Sequence, residues 1–298
     1  MTSDTTQQIY TSKLPAGLKG GLYSVATPIG NLKDITLRAL EVLEHADMLL
    51  CEDTRVTRKL LSHYGLNPPM RAYHEHNAVQ QREGVLALLR AGKAVALVSD
   101  AGTPLMSDPG ADIVEAAHAE GIPVYPIPGA SALVVALSAS GMPAVPSFFA
   151  GFLPTKAKAL RDTLQSYQSI PGTLVFYERA SRLKNLFTAI GEMMGDRQLI
   201  LAREMTKQYE SFVRGTAGAL IAQLEAGDIP EKGECVVLVA PPPPQSEVSD
   251  AQLVAQLETL IKSGESVKEA VALLTKQSGC PRNRVYTLAL SLKDAGKA

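Results

Sequence analysis

Three cysteines in 298 residues, Cys51, Cys235 and Cys280, stand at no spacing that would pair them or gather them round a metal. That argues against a disulfide framework or a cysteine-built zinc site, and makes a reducing cytoplasm the natural expectation. No apolar run approaches the ~20 residues needed to cross a bilayer. The polar first twenty residues lack the basic start and apolar core of a signal peptide. A surplus of either charge is missing too, since 29 basic and 30 acidic residues leave a formal net charge of −1. This argues against gripping naked nucleic acid mainly by overall charge, and leaves local basic patches open. The motifs of common cofactor chemistry are also absent. The first glycine turn lacks G-x-G-x-x-G spacing, and no G-x-x-x-x-G-K-[ST], G-x-S-x-G or H-E-x-x-H occurs.

What is present reads as an ordinary soluble globular protein, 46% hydrophobic and 20% charged, and long enough for two domains. Strand and helix patterns alternate through the first half. Strands are predicted at 22–26, 48–51, 71–74, 94–98 and 124–127, with helices at 34–46, 54–64, 78–91 and 111–120. Alternation on this scale implies βαβ units and a mostly parallel sheet. After Met142-Pro143 the pattern resets. Strands at 148–152, 173–177, 199–203, 209–215 and 234–239, with helices at 156–167, 182–194 and 217–226, suggest a second α/β layer of mixed strand direction. The predicted organisation is a flexible segment at 1–19, α/β domains at 20–141 and 142–240, a Pro-rich linker at 241–249 and a helical segment at 250–298. Within that last segment, residues 271–290 resemble a helix-turn-helix around Ser278-Gly279-Cys280-Pro281. Residues 262–298 carry 7 Lys/Arg against 3 Asp/Glu, so Arg282 and Arg284 are candidate RNA contacts; a small helical lid or dimer contact fits equally well.

Three turns of small residues follow predicted strands: Ala26-Thr27-Pro28-Ile29-Gly30-Asn31-Leu32, Ser99-Asp100-Ala101-Gly102-Thr103-Pro104 with Ser107-Asp108-Pro109-Gly110, and Pro128-Gly129-Ala130-Ser131-Ala132. In an open parallel sheet such turns lie at the carboxyl ends of strands, where ligands bind, and small residues let a ligand reach the backbone. Polar clusters end two further strands. Cys51-Glu52-Asp53-Thr54-Arg55 offers two carboxylates and an arginine, with helix capping by Asp53 the competing explanation. Tyr73-His74-Glu75-His76-Asn77 suits a general base or substrate hydrogen bonds better than a metal, because no third ligand stands at a fitting spacing. In the second half, Phe176-Tyr177-Glu178-Arg179 and Arg203-Glu204-Met205-Thr206-Lys207 place charges at strand ends, as a ligand clamp or as a buried Glu178–Arg203 ion pair.

Taken together and in this order, these segments resemble the tetrapyrrole methylase (class III methyltransferase) superfamily, in its ribosomal-RNA-modifying branch, over roughly residues 20–240. The resemblance implies two α/β domains with S-adenosylmethionine folded into the cleft between them, and a homodimer. It implies 2′-O-methylation of a cytidine ribose in the decoding region of bacterial 16S rRNA, within the small ribosomal subunit. The cofactor would be held by Pro28, Asp100, Ala101, Gly102, Thr103, Ser131, Ala132, Tyr177 and Met205. Candidate bases or charge-stabilising groups are His74, Glu75, Asp53, Arg55 and Lys207. Glu52, His76, Asn77, Glu178, Arg203 and Glu204 are expected to face the substrate, and no metal is expected. Methylation of a tetrapyrrole or a protein histidine is the alternative within the superfamily, and a nucleotide-sensing DNA-binding regulator is the alternative outside enzymes.

Overall fold

The computed structural model describes residues 17–243 and 249–295. Most of the predicted N-terminal segment, part of the linker and the last three residues lie outside the described residues. The chain forms two compact units, Met1–Pro241 and Pro242–Ala298.

The first sheet contains β1 (Gly21–Val25), β2 (Met48–Cys51), β3 (Met70–Ala72), β4 (Ala94–Val98) and β5 (Val124–Ile127), all parallel, in the order β3-β2-β4-β1-β5. Its helices are α1 (Leu37–His45), α2 (Thr54–His63), α3 (Ala78–Arg90) and α4 (Ala111–Ala119). Alternate residues of β4 feed opposite cores. Ala94, Ala96 and Val98 meet α1 and α2 through Val42, Leu43 and Leu61, while Val95 and Leu97 meet α3 and α4 through Val85, Leu86 and Ile113. All five β4 residues are therefore buried, as expected for a strand covered on both faces. The chain leaves β1 toward β2 on one side and leaves β4 toward β5 on the other. Above the neighbouring β1 and β4 the connections diverge, and a crevice opens there.

The second sheet has β6 (Ser147–Phe152), β7 (Thr173–Arg179), β8 (Leu199–Arg203), β9 (Ser211–Gly215) and β10 (Glu234–Val239), in the order β6-β7-β10-β8-β9. Only β6 and β7 run parallel, so the expected mixed directions are present. Its outer face packs on α6 (Ala157–Tyr167), α7 (Leu183–Met194) and α8 (Ala217–Ala226). Its inner face carries Val175, Ile200, Ala202, Val236 and Leu238 against α5 (Ala132–Ser140). The helix that leaves the first sheet is thus the floor between the sheets.

Some expected boundaries shift for local reasons. The helix predicted from residue 34 begins at Leu37, because Thr36 Oγ1 accepts the Ala39 N–H at 3.1 Å and caps it; Leu32–Asp34 form a separate 3-10 turn. The strand predicted to reach His74 stops at Ala72. Asn77 Oδ1 accepts the His74 N–H and curls the chain away. Beyond the α/β unit, α9 (Asp250–Lys262), α10 (Val267–Ser278) and α11 (Arg282–Ala295) share a core of Leu253, Leu257, Val271, Leu274, Val285 and Ala289. Capping boxes at Ser249/Gln252 and Ser266/Glu269 start α9 and α10. No described helix is long and apolar enough to cross a membrane.

Candidate active site

A cleft of about 260 Å³ lies between the sheets. One wall is the loop after β4, with Asp100, Ala101, Gly102 and Thr103, joined by Ile29 and Ala132. The other wall comes from the second sheet, with Tyr177, Met205, Lys207 and Val236. Backbone contacts set the first wall. Thr27 and Gly102 exchange N–H···O bonds of 2.8 and 3.0 Å, and Thr103 Oγ1 donates to the Ala130 carbonyl at 3.1 Å, so the turns after β1, β4 and β5 are tied together.

Glycine lets the two walls approach. A Cβ on Gly30 would lie 2.5 Å from Lys207 Cγ, and one on Gly151 would lie 2.6 Å from Ser107 Oγ. Among the described residues, the only non-glycine residues with positive φ are Leu105, Ser107, Glu204 and Thr206. They fall in two loops that line this cleft from opposite sides, and such strained backbone gathers where geometry is fixed for a ligand.

A second hollow opens on the rim of the first sheet, lined by Glu52, Asp53, Thr54, Arg55, Ala72, His74, His76 and Asp100. Asp100 borders both spaces. Its Oδ1 accepts the Asp53 N–H at 3.1 Å, which joins the ends of β2 and β4. His74 Nδ1 is buried without a hydrogen-bond partner.

The acidic groups differ sharply in character. Burial pushes the Asp108 carboxyl up to about 6, helped by repulsion from Glu52 and opposed by a hydrogen bond from Ser99. Burial and the charge of Asp100 also raise Glu52, and burial raises Asp100. Asp53 goes the other way: the Arg55 guanidinium and the Arg55 N–H hold it at about 2. Asp53 caps α2 and grips Arg55, with Oδ2 2.6 Å from Nη2. Lys207 Nζ sits 3.0 Å from Glu204 and 2.9 Å from Glu234. Burial opposes its charge, yet the hydrogen bonds to Glu234 and Glu204 prevail and raise its pKa.

Of the predicted cofactor residues, Asp100, Ala101, Gly102, Thr103, Ala132, Tyr177 and Met205 meet in the cleft, together with Glu178, Glu204 and Lys207. Pro28 and Ser131 flank it in sequence, beside the lining Ile29 and Ala132. Glu52, Asp53, Arg55, His74 and His76 meet at the rim. Glu75 is exposed beside them, outside the rim lining. Asn77 is turned to structural use, since its side chain accepts from His74 N and donates to the Ala72 carbonyl. The alternative Glu178–Arg203 ion pair does not form. Glu178 lies 3.4 Å from Arg182, and Arg203 donates to the Lys232 carbonyl at 2.8 Å. Arg282 and Arg284 belong to the C-terminal unit, where Arg284 pairs with Asp250 at 2.8 Å. Asp108, Phe152, Arg179 and Glu234 also line the cleft. Asp108 and Arg179 were legible as members of the ligand-facing turn Ser107-Asp108-Pro109-Gly110 and of the charged strand end Phe176-Tyr177-Glu178-Arg179, while Phe152 carried no signal in the sequence. Among the described residues no His/Cys/Asp/Glu cluster could hold a metal.

Residues 21–221 match the family model of Tetrapyrrole (Corrin/Porphyrin) Methylases, and residues 247–293 match that of the RsmI C-terminal HTH domain. The chain is similar to the ribosomal RNA small subunit methyltransferase I of Mesorhizobium japonicum, at 44% identity over 95% of this chain and 96% of that protein. It is 42% identical to the protein of the same name from Escherichia coli, over 91% of this chain and 95% of the relative. Among solved structures, diphthine synthase aligns with a TM-score of 0.58, with 15% identity over 74% of this chain and 89% of its own. A cobalt precorrin-4 methyltransferase aligns at 0.54, with 18% identity over 74% of this chain and 94% of its own. At these identities the two structures establish the fold alone.

Proposed function

Because the chain belongs to the tetrapyrrole methylase family, and within it groups with the small-subunit rRNA methyltransferase I proteins, we propose that it is an S-adenosylmethionine-dependent rRNA methyltransferase whose acceptor is the 2′-oxygen of a cytidine ribose in the decoding region of 16S rRNA. The substrate is the assembled small subunit in the cytoplasm, in keeping with the near-neutral net charge, and the enzyme works as a homodimer. The observation that carries this reading is that one residue, Asp100, borders both the cleft and the rim hollow, so that a donor in one meets an acceptor in the other.

The residues of the cleft fit the cofactor. Ala101, Gly102 and Ala132 leave room for a ligand against the backbone, and Asp100 and Asp108 present negative charge to a sulfonium. When bound, S-adenosylmethionine supplies an electrophilic methyl group and leaves as the neutral thioether. The ribose oxygen, methyl carbon and sulfur must stand in line, so the protein's first task is positioning. The bond between the turns after β1 and β4, and the close approach of Gly30 to Lys207, hold the donor wall rigid.

The second task is removing the hydroxyl proton. Asp53 is a poor acceptor because Arg55 keeps it ionised and weakly basic. Lys207 is held as an ammonium by two carboxylates, and Glu75 stands outside the rim lining. Glu52 borders the rim with its basicity raised by burial and by Asp100. In this reading Glu52 takes the 2′-hydroxyl proton as the oxygen–methyl bond forms, His74 orients the ribose, and Arg55 meets an adjoining phosphate. The test is incubation of wild-type protein and labelled S-adenosylmethionine with small subunits from cells lacking this enzyme, with a tetrapyrrole and with protein substrate in parallel. Label in the rRNA alone supports the reading, and label in either of the others overturns it.

A further inference from the structure

We infer that the exposed face of α2 is the track on which the RNA strand leading to the acceptor ribose lies, its phosphates held by Arg58 and Lys59. This rests on the rRNA reading above. The helix sequence, Thr-Arg-Val-Thr-Arg-Lys-Leu-Leu-Ser-His over 54–63, contains no acidic residue. Thr57, Leu60 and Leu61 are buried against the first sheet, and Arg55, Arg58, Lys59 and His63 are exposed on the other side. These four lie at i, i+3, i+4 and i+8, so they form one stripe with a basic position about every turn, or about 5.4 Å.

The stripe starts at the site. Thr54 and Arg55 line the rim hollow, and each further turn carries the basic face away from it. At its far end Tyr64 Oη donates to the Leu32 carbonyl at 2.5 Å, which seats the exposed Lys33 beside the helix. Arg55 is engaged by Asp53, but no ion pair involves Arg58 or Lys59 among the described residues. Asp34 is the acidic group that faces this end, through its field on Tyr64. In a chain of net charge −1, a one-sided run of this kind has no role in the α/β core and none in the cofactor cleft. A polyanion running away from the acceptor position fits it by charge and by direction. Exposed Val56 between the basic side chains offers apolar surface to a ribose or base.

Each phosphate contact with a single strand contributes about 0.7 to the slope of log affinity against log salt. Replacing Arg58 and Lys59 together by Gln should therefore flatten the slope for small-subunit binding by about 1.4, and raise KM for the particle roughly 10-fold or more at moderate salt. Cofactor affinity by calorimetry should stay unchanged, as should single-turnover rate at saturating particle. The swapped variant Arg58→Lys/Lys59→Arg should restore binding, because charge and not shape is used. An unchanged salt slope with wild-type KM would overturn the inference while the function stands. A raised KM on the particle with no change on an isolated rRNA fragment that wild type binds would also overturn it, and would assign the face to a ribosomal protein. Failure of the wild-type protein to methylate any RNA would instead remove the functional reading itself.

Discussion

The backbone N–H of Asp53 donates to Asp100 Oδ1 at 3.1 Å, and through that bond the floor of the rim hollow and the wall of the cleft become one piece. Asp53 is further fixed by its own grip on Arg55. A displacement at the end of either β2 or β4 is thereby felt at both sites. Under the proposed function the environments divide the labour: Asp100, in the wall of the cleft, is assigned to the donor, and Glu52, in the rim with raised basicity, to the acceptor.

Glu52→Gln is expected to lower the single-turnover methylation rate by ~10²–10⁴-fold, the usual worth of a positioned base. Calorimetric affinity for S-adenosylmethionine should change little. Because burial raises the Glu52 pKa, the wild-type rate should climb with pH as this carboxyl ionises and then level off. A variant with a near-wild-type rate and the same pH profile would remove Glu52 from the chemistry.

Asp108 yields a stability prediction whose sign can be worked out. Its pKa of about 6 in the fold lies above the ordinary value of an aspartate carboxyl, so the native state favours the protonated form. The stabilisation from that preference is present below the unfolded pKa and is lost as pH rises through about 6. Asp108→Asn, which stays neutral, should raise Tm at pH 8 and leave it nearly unchanged at pH 4. Thermal melts at the two pH values check this, and a larger gain at pH 4 would contradict the assigned environment.

Asp53 acts as a cap in this account. Asn is as good an N-cap as Asp, so Asp53→Asn should retain most methylation, within a few-fold of wild type. Asp53→Ala loses the bond to the Arg55 N–H, and its Tm should fall below that of the Asn variant. A rate loss in Asp53→Asn as large as that of Glu52→Gln would restore Asp53 as a catalytic candidate.

Gly30→Val should drive the turn after β1 away from Thr206 and Lys207, because even a Cβ would approach them to 2.8 and 2.5 Å. Ala132→Leu should fill the cleft beside the cofactor. Both are expected to weaken S-adenosylmethionine binding by 10-fold or more in calorimetry, at roughly the cost of an overpacked site. Wild-type affinity in the Leu variant, with the fold intact by circular dichroism, would place the ligand elsewhere.

Much of this architecture was legible because the first sheet is parallel and covered on both faces. Its buried strands read as short apolar runs, as at 94–98, and β1, β4 and β5 are followed by turns of small residues. The turns after β1, β4 and β5 consequently point to the cleft from the sequence alone. The rim was legible as two polar clusters, 51–55 and 73–77, and capping by Asp53 was one of the readings offered and is present, but the other internal roles were not legible. That Asn77 would be spent on His74 and Ala72, and Asp53 on Arg55, depends on side-chain directions that residue type does not fix. Asp108 was legible only as a member of a ligand-facing turn, because an aspartate in a Pro/Gly turn reads as turn chemistry, and its raised pKa arises from burial beside Glu52. The basic face of α2 was hidden by the balanced total charge.

The position of the transferred methyl group tests the central claim most directly. Small subunits labelled by the enzyme would be deproteinised, and their rRNA hydrolysed in alkali and analysed by mass spectrometry. A 2′-O-methyl group blocks attack of that oxygen on the adjoining phosphate, so the account predicts one alkali-resistant dinucleotide that begins with methylated cytidine and maps to the decoding region. Label recovered on a base, at a nucleotide outside that region, or in ribosomal protein would contradict it.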